Sequence, residues 1–356
     1  MNILIAFAEW LTYLFFSILA GHVVLTFVPE DRKPSVQLSK NVLMASALGL
    51  VFSTFGPVLQ VVLYFYESVG AIKALYSVLT DFQVGNAWLV ISWACLFMMV
   101  TILLNGPRYL KALLLLVMVL AVGYASHVAS LTLWSGWLAH SLHFLSVMLW
   151  AGVLLHVSWL AKDPLNWKPF VKWFSPFAAA CMLVILSTGF WTMTMVVDVR
   201  DYVNSWVLSY GQILLLKHIV IIPLLLIAYS NAYVSRKRSD FPNKILKAES
   251  LVFFLVIGCT AFLGILSPPH EINFTVDSEG ASPIAEYLAG EEISSPVQLS
   301  ISTGNMLEGV SLLLIALGFL GMLFFSIRKN PSIELSLLFS LLFIVSLYFG
   351  LNRLFL

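Results

Sequence analysis

Charge is what this chain has least of. Its 356 residues include 19 Lys and Arg and 18 Asp and Glu, so only 10% are charged while 60% are hydrophobic. With a mean hydropathy of +0.94, that leaves too little polar surface to solvate a water-soluble fold of this size. The formal net charge of +1 offers no basic field for nucleic acid. Cysteine is scarce as well. Cys95, Cys181 and Cys259 each lie inside an apolar run with no CxxC pair, which argues against a disulfide framework or a zinc site. They read as small packing residues, with soft-metal ligation as the remaining chemical use. Walker, GxSxG, HExxH and dinucleotide-binding signatures are all missing. Neither nucleotide use nor hydrolysis is expected, and the chain is not read as an enzyme. No internal repeat is visible.

Long apolar runs are what the chain has in abundance. Segments of roughly 20 residues or more, enough to cross about 30 Å of hydrocarbon, fall at 3–28, 41–66, 86–105, 109–130, 138–161, 171–197, 211–233, 247–267, 304–327 and 333–351. They are too long and too evenly apolar for barrel strands. The first contains Glu9, lacks a basic start and stays apolar to Val28, so it reads as a membrane helix and not as a secretory signal. The predicted fold is an all-α polytopic transmembrane bundle of about ten helices. Its domains are a membrane core over 1–270, an acidic loop over 271–303 and two additional helices over 304–356.

Basic residues set the orientation. Arg32, Lys33 and Lys40, then Arg108 and Lys111, then Lys162, Lys168 and Lys172, then Arg236, Lys237, Arg238, Lys244 and Lys247, and finally Arg328 and Lys329 occupy alternate junctions. The junctions between them are poor in Lys and Arg, including the one holding Glu67, Lys73 and Asp81. The positive-inside bias makes the basic set cytoplasmic and puts both termini outside. The external segment 268–303 carries Glu271, Asp277, Glu279, Glu286, Glu291 and Glu292 with no Lys or Arg, and reads as a solvated, partly disordered connector.

Seven histidines are scattered through this apolar sequence, and an ionisable group at membrane depth is a functional candidate by default. Imidazole narrows the chemistry to metals, haem or protons. His127 closes the fourth run, and His140 and His143 open the fifth, three residues apart and so expected on one helical face. Together they suggest an outward-facing site. His218 and the pair Met193 and Met195 are expected at the same depth, and thioether sulfur suits Cu(I) better than Cu(II). His22, Glu9, Lys217 and Glu249 are candidates for an intramembrane polar path. His156, next to Lys162, reads as interfacial. His270 sits on the external loop.

Several stretches then resemble a known family. His143-Phe-Leu-Ser-Val-Met-Leu-Trp150-Ala-Gly152, Phe174-Ser175, Ser187-Thr188-Gly189, Tyr210-Gly211 leading to Lys217 and Asn231, and Glu249 with Ser267-Pro268-Pro269 together resemble the copper resistance D (CopD) family. The likeness covers roughly residues 120–270. The family's His-x6-Trp-x-Gly pattern maps onto His143, Trp150 and Gly152, and its histidine one helix earlier maps onto His127. Trp173 stands where many members carry an arginine. The resemblance implies copper movement across the cytoplasmic membrane, generally inward, with an external copper-binding protein of CopC type as a partner besides lipid. It implies capture by His127 and His143 with help from His140, Met193, Met195 or His218, and passage tuned by Glu9, Lys217, His22 and Glu249. Two rival readings share this ligand chemistry: a membrane protein holding haem b between two histidines, and a scaffold that hands copper to an oxidase without moving it across.

Overall fold

The structure is a computed structural model that describes residues 2–161, 163, 165–237, 243–269, 271–329 and 332–356. Lys162, Arg238 and His270 lie outside the described residues, as do the side chains of Arg236 and Lys237. The chain folds as two compact units, residues 1–195 and 196–356. This division differs from the expected break at 270, because the last two helices pack within the second unit.

The first unit runs α1 (Asn2–Phe27), α2 (Lys40–Ser53), α3 (Phe55–Val69), α4 (Ala71–Asp81), α5 (Gln83–Leu103), α6 (Arg108–Tyr124), α7 (His127–Leu131), α8 (Leu133–Leu160) and α9 (Trp167–Val196). The second runs α10 (Ser209–Lys237), α11 (Asn243–Leu263), α12 (Ile272–Glu279), α13 (Pro283–Ala289), α14 (Met306–Lys329) and α15 (Ile333–Phe355). Among the described residues, nine spans are long and apolar enough to cross a membrane, with α2 and α3 together forming one of them. The protein is therefore an all-α multi-pass membrane bundle. The tenth expected span, 109–130, is α6 followed by the separate five-residue α7. At 17 residues, α6 is about 25 Å long, and Ser126 ends the run by accepting a hydrogen bond from the Ala129 N–H at 3.2 Å and so capping α7.

Local chemistry explains the other departures. The apolar run 41–66 breaks at Thr54, where Pro57 supplies no N–H to the preceding turn. The Thr54 hydroxyl bonds back to Leu50 O at 2.6 Å. The junction holding Lys73 and Asp81 is the amphipathic α4, whose Ala74 and Val78 are buried against Val58 and Val62 of α3. Large apolar side chains such as Phe52, Trp93 and Leu183 stay exposed, as expected where lipid replaces water.

The first unit's core centres on α1. Phe16, Leu19 and Val23 pack with Leu43, Ala47 and Leu50 of α2, Met118 of α6, and Phe144 and Met148 of α8. Lipid is as apolar as leucine, so this association rests on close packing and polar contacts more than on hydrophobic burial. In the second unit, α15 packs on α10, α11 and α14. A buried polar network ties α10 to α15: Gln212 Nε2 donates to Asn352 Oδ1 at 2.8 Å and to Trp206 O at 2.6 Å, and the Tyr348 hydroxyl donates to Gln212 Oε1.

Most of the acidic segment is folded, contrary to the connector expected from its composition. Pro283 starts α13, and Gly280 and Gly290, at φ of 82° and 78°, close α12 and α13. Ser282 N donates to Val207 O at 2.7 Å, Leu299 N to Asn204 Oδ1 at 2.9 Å and Ser302 N to Leu354 O at 2.7 Å. Val276 and Val297 share a small core with Val207 and Leu208. Those apolar contacts and backbone bonds outweigh the segment's charge.

Candidate functional site

Two rows of residues spaced four apart meet in the first unit. On α1 they are Glu9, Tyr13, Ser17 and Gly21; on α8, His140, Phe144, Met148, Gly152 and His156. Side chains four apart lie on one face of a helix and form a ridge that a neighbouring helix can receive. The contacts fix the register. Tyr13 and Phe16 pack on Phe144, with ring centroids 5.4 and 5.0 Å apart. The Ser17 hydroxyl points at Met148 Sδ at 3.7 Å. A Cβ added to Gly152 would fall 2.4 Å from Gly21 N and 2.6 Å from Ser17 O, so the two backbones touch and only glycine fits. The result is a seam of polar and sulfur-bearing groups along the α1–α8 interface.

His156, near the end of α8, is 1% exposed and so is packed inside the bundle. Its Nδ1 is 2.8 Å from Gly152 O. A carbonyl only accepts, so Nδ1 carries the proton and Nε2 the lone pair.

The histidines at the other end of α8 separate. His143 turns toward α9, where Nδ1 lies 3.1 Å from Ile185 O and 3.2 Å from Thr188 Oγ1, and its ring packs against Gly189. Here too the carbonyl places the proton on Nδ1. His140 instead stacks on Phe144 at 6.5 Å, on the α1 side. The shared face expected from their spacing is thus divided between two neighbouring helices. His127 is exposed at the first residue of α7. Met195 Sδ receives the Thr132 hydroxyl at 3.6 Å, and Met193 is half-buried on the same helix. Among the described residues, no three His, Cys, Asp or Glu side chains gather to hold a metal ion.

In the second unit, His218 and Lys217 are half-buried on α10. The Tyr202 hydroxyl lies 2.7 Å from His218 Nδ1, and burial pushes that phenol up to about 12, so it stays protonated. A neutral phenol can donate to Nδ1, which puts the ring proton on Nε2, or accept from it, which frees Nε2. Lys217 lies near Cys259 of α11. Glu249 of α11 accepts from Asn231 Nδ2 of α10 at 2.8 Å, and these two residues are 3% and 7% exposed. That bond joins two residues quoted above for the family resemblance. The same holds for His143 with Thr188 and Gly189.

Sequence reasoning missed His156 and Tyr202. The signal for His156 was present: the step of four running back through Gly152 and Met148 marks it as facing a neighbour. Tyr202 carries no such signal, because it reaches His218 through a turn in the α9–α10 connection.

Residues 168–263 match the family model described as CopD, Copper resistance protein D. The match covers all but the first residue of α9, and all of α10 and α11. No curated protein and no solved structure matches the chain.

Proposed function

Taking residues 168–263 as a CopD-family segment of a multi-pass membrane protein, we propose that this chain carries copper across the cytoplasmic membrane of a bacterium, inward, as Cu(I). The observation that supports this reading best is the setting of His143. Its Nδ1 is held by the Ile185 carbonyl and Thr188 of α9, inside the matched segment. A backbone carbonyl on one ring nitrogen is the usual way a ligating imidazole is oriented and made more basic. In this reading His143 and His127 capture the ion, with His140, Met193, Met195 or His218 as exchangeable helpers. Glu9, His22, Lys217 and Glu249 tune charge or move protons further in. The lack of a three-ligand cage among the described residues suits a carrier, which must release its cargo. An external protein of CopC type is the proposed donor. No step needs nucleotide or bond-making chemistry, in line with a protein that is not an enzyme.

The test is copper entry into sealed proteoliposomes containing a Cu(I)-responsive dye, under reducing conditions. Wild-type protein should raise the rate well above that of lipid alone, and His143→Ala should lower it about tenfold or more, the effect of losing one ligand contact worth roughly 1.4 kcal/mol. Tight copper binding with no uptake would replace transport with the scaffold reading. A Soret band with stoichiometric iron would replace both with haem b.

A further inference from the structure

The α1–α8 crossing holds a second set of donors. His22 Nε2 and His156 Nε2 are both buried without a hydrogen-bond partner. The His156 ring lies directly over Gly21, the residue before His22: a Cβ on Gly21 would meet His156 Nδ1 at 2.4 Å and Gly152 O at 2.3 Å. The rings are also electrostatic neighbours. His156 has its proton fixed on Nδ1 by Gly152 O, so its unpartnered Nε2 presents a lone pair. Inside a membrane bundle an unpartnered polar atom is unfavourable, and two of them on neighbouring turns of one helix crossing point to a ligand.

We propose that His22 and His156 form a two-imidazole Cu(I) station at the end of the α1–α8 seam that carries Lys33 and Lys111. It rests on the copper reading and extends it to a place where the cargo pauses before release. Imidazole is a good copper ligand, and the carbonyl behind His156 is the support such a ligand usually has. The site selects the monovalent ion by charge. Lys111 and Lys33 are among the charges acting on His22, and both oppose added positive charge. The cost of burying an ion rises with the square of its charge, so Cu(II) is disfavoured far more than Cu(I). Those two cations also keep binding weak enough for release. Haem does not fit, because helices touching backbone to backbone at Gly21 and Gly152 leave no slot for a porphyrin.

The experiment titrates full-length protein in detergent with Cu(I) against a chromophoric Cu(I) chelator, under reducing conditions. His22→Ala and His156→Ala should each lose the same one equivalent, and the double variant should lose no more. His143→Ala should keep that equivalent, and X-ray absorption on this variant should show a copper with two nitrogen neighbours. His156→Met should retain it, since a thioether also binds Cu(I), which separates lost ligation from lost folding. Wild-type stoichiometry in both alanine variants overturns the inner station, as does loss of the equivalent in a monodisperse His156→Met protein. A wild-type protein that binds no Cu(I) at all instead overturns the copper reading on which the station depends.

Discussion

Gly152→Ala tests the crossing on which the α1–α8 seam depends. The added methyl would fall 2.4 Å from Gly21 N and 2.6 Å from Ser17 O, while ordinary contact begins at 3.4 Å. Both obstacles are backbone, so no side chain can rotate away, and α1 must withdraw by about 1 Å. Overpacking of this kind costs about 1–3 kcal/mol, offset by the roughly 0.5–1 kcal/mol that alanine gains over glycine inside a helix. The net loss is on the order of 1–2 kcal/mol. Gly318 of α14 is the control, since a Cβ there meets nothing within 4 Å, and Gly318→Ala should gain about 0.5–1 kcal/mol. Cys95 is fully buried in the same core as α1 and α8, and Cys181 and Cys259 are buried as well, so a thiol-reactive dye reports unfolding as detergent-solubilised protein is heated. With about 2–4 °C per kcal/mol for a unit of this size, Gly152→Ala should lower the midpoint by roughly 2–8 °C, and Gly318→Ala should leave it unchanged or raised. Equal midpoints for the two variants would refute the backbone contact.

Two further outcomes follow from the second unit. Asn231→Leu should lower the same thermal midpoint, because it removes a donor to a carboxylate that is 3% exposed, a loss of about 1–3 kcal/mol; Glu249→Gln, whose amide oxygen can still accept from Asn231, should cost clearly less, and the reverse order would contradict the pairing. Tyr202 holds its proton up to about 12 against roughly 10 for a free tyrosine, so the native state's advantage at this group is complete below pH 10 and is lost as pH rises toward 12. The thermal midpoint of Tyr202→Phe should therefore fall less steeply above pH 10 than that of wild type, and parallel curves would count against a buried Tyr202 hydroxyl.

The bundle was legible because membrane spans announce themselves by length: a 25-residue apolar run has no other stable home. Its interruptions were harder to see. Pro57 sits inside an apolar run, and only the break at Thr54 shows that it divides α2 from α3. Asp81 and Lys73 suggested a loop, while the step from Ala74 to Val78 that makes α4 a helix is just four residues long. The acidic segment misled through composition, although Pro283, Gly280 and Gly290 were proper helix boundaries. At the candidate site, single positions were legible and their partners were not. His140 and His143 are separated by 60° around α8, enough for one to face α1 and the other α9, and spacing alone does not say which helix stands on each side. The burial of His156 was not legible because nearness to a helix end in sequence says nothing about lateral packing.

The most direct measurement is the metal content and absorption spectrum of the purified protein before and after Cu(I) is added under reducing conditions. Bound copper at or above one equivalent, without a Soret band and reduced in His143→Ala, is the expected result. Iron with a Soret band and little copper would contradict the account.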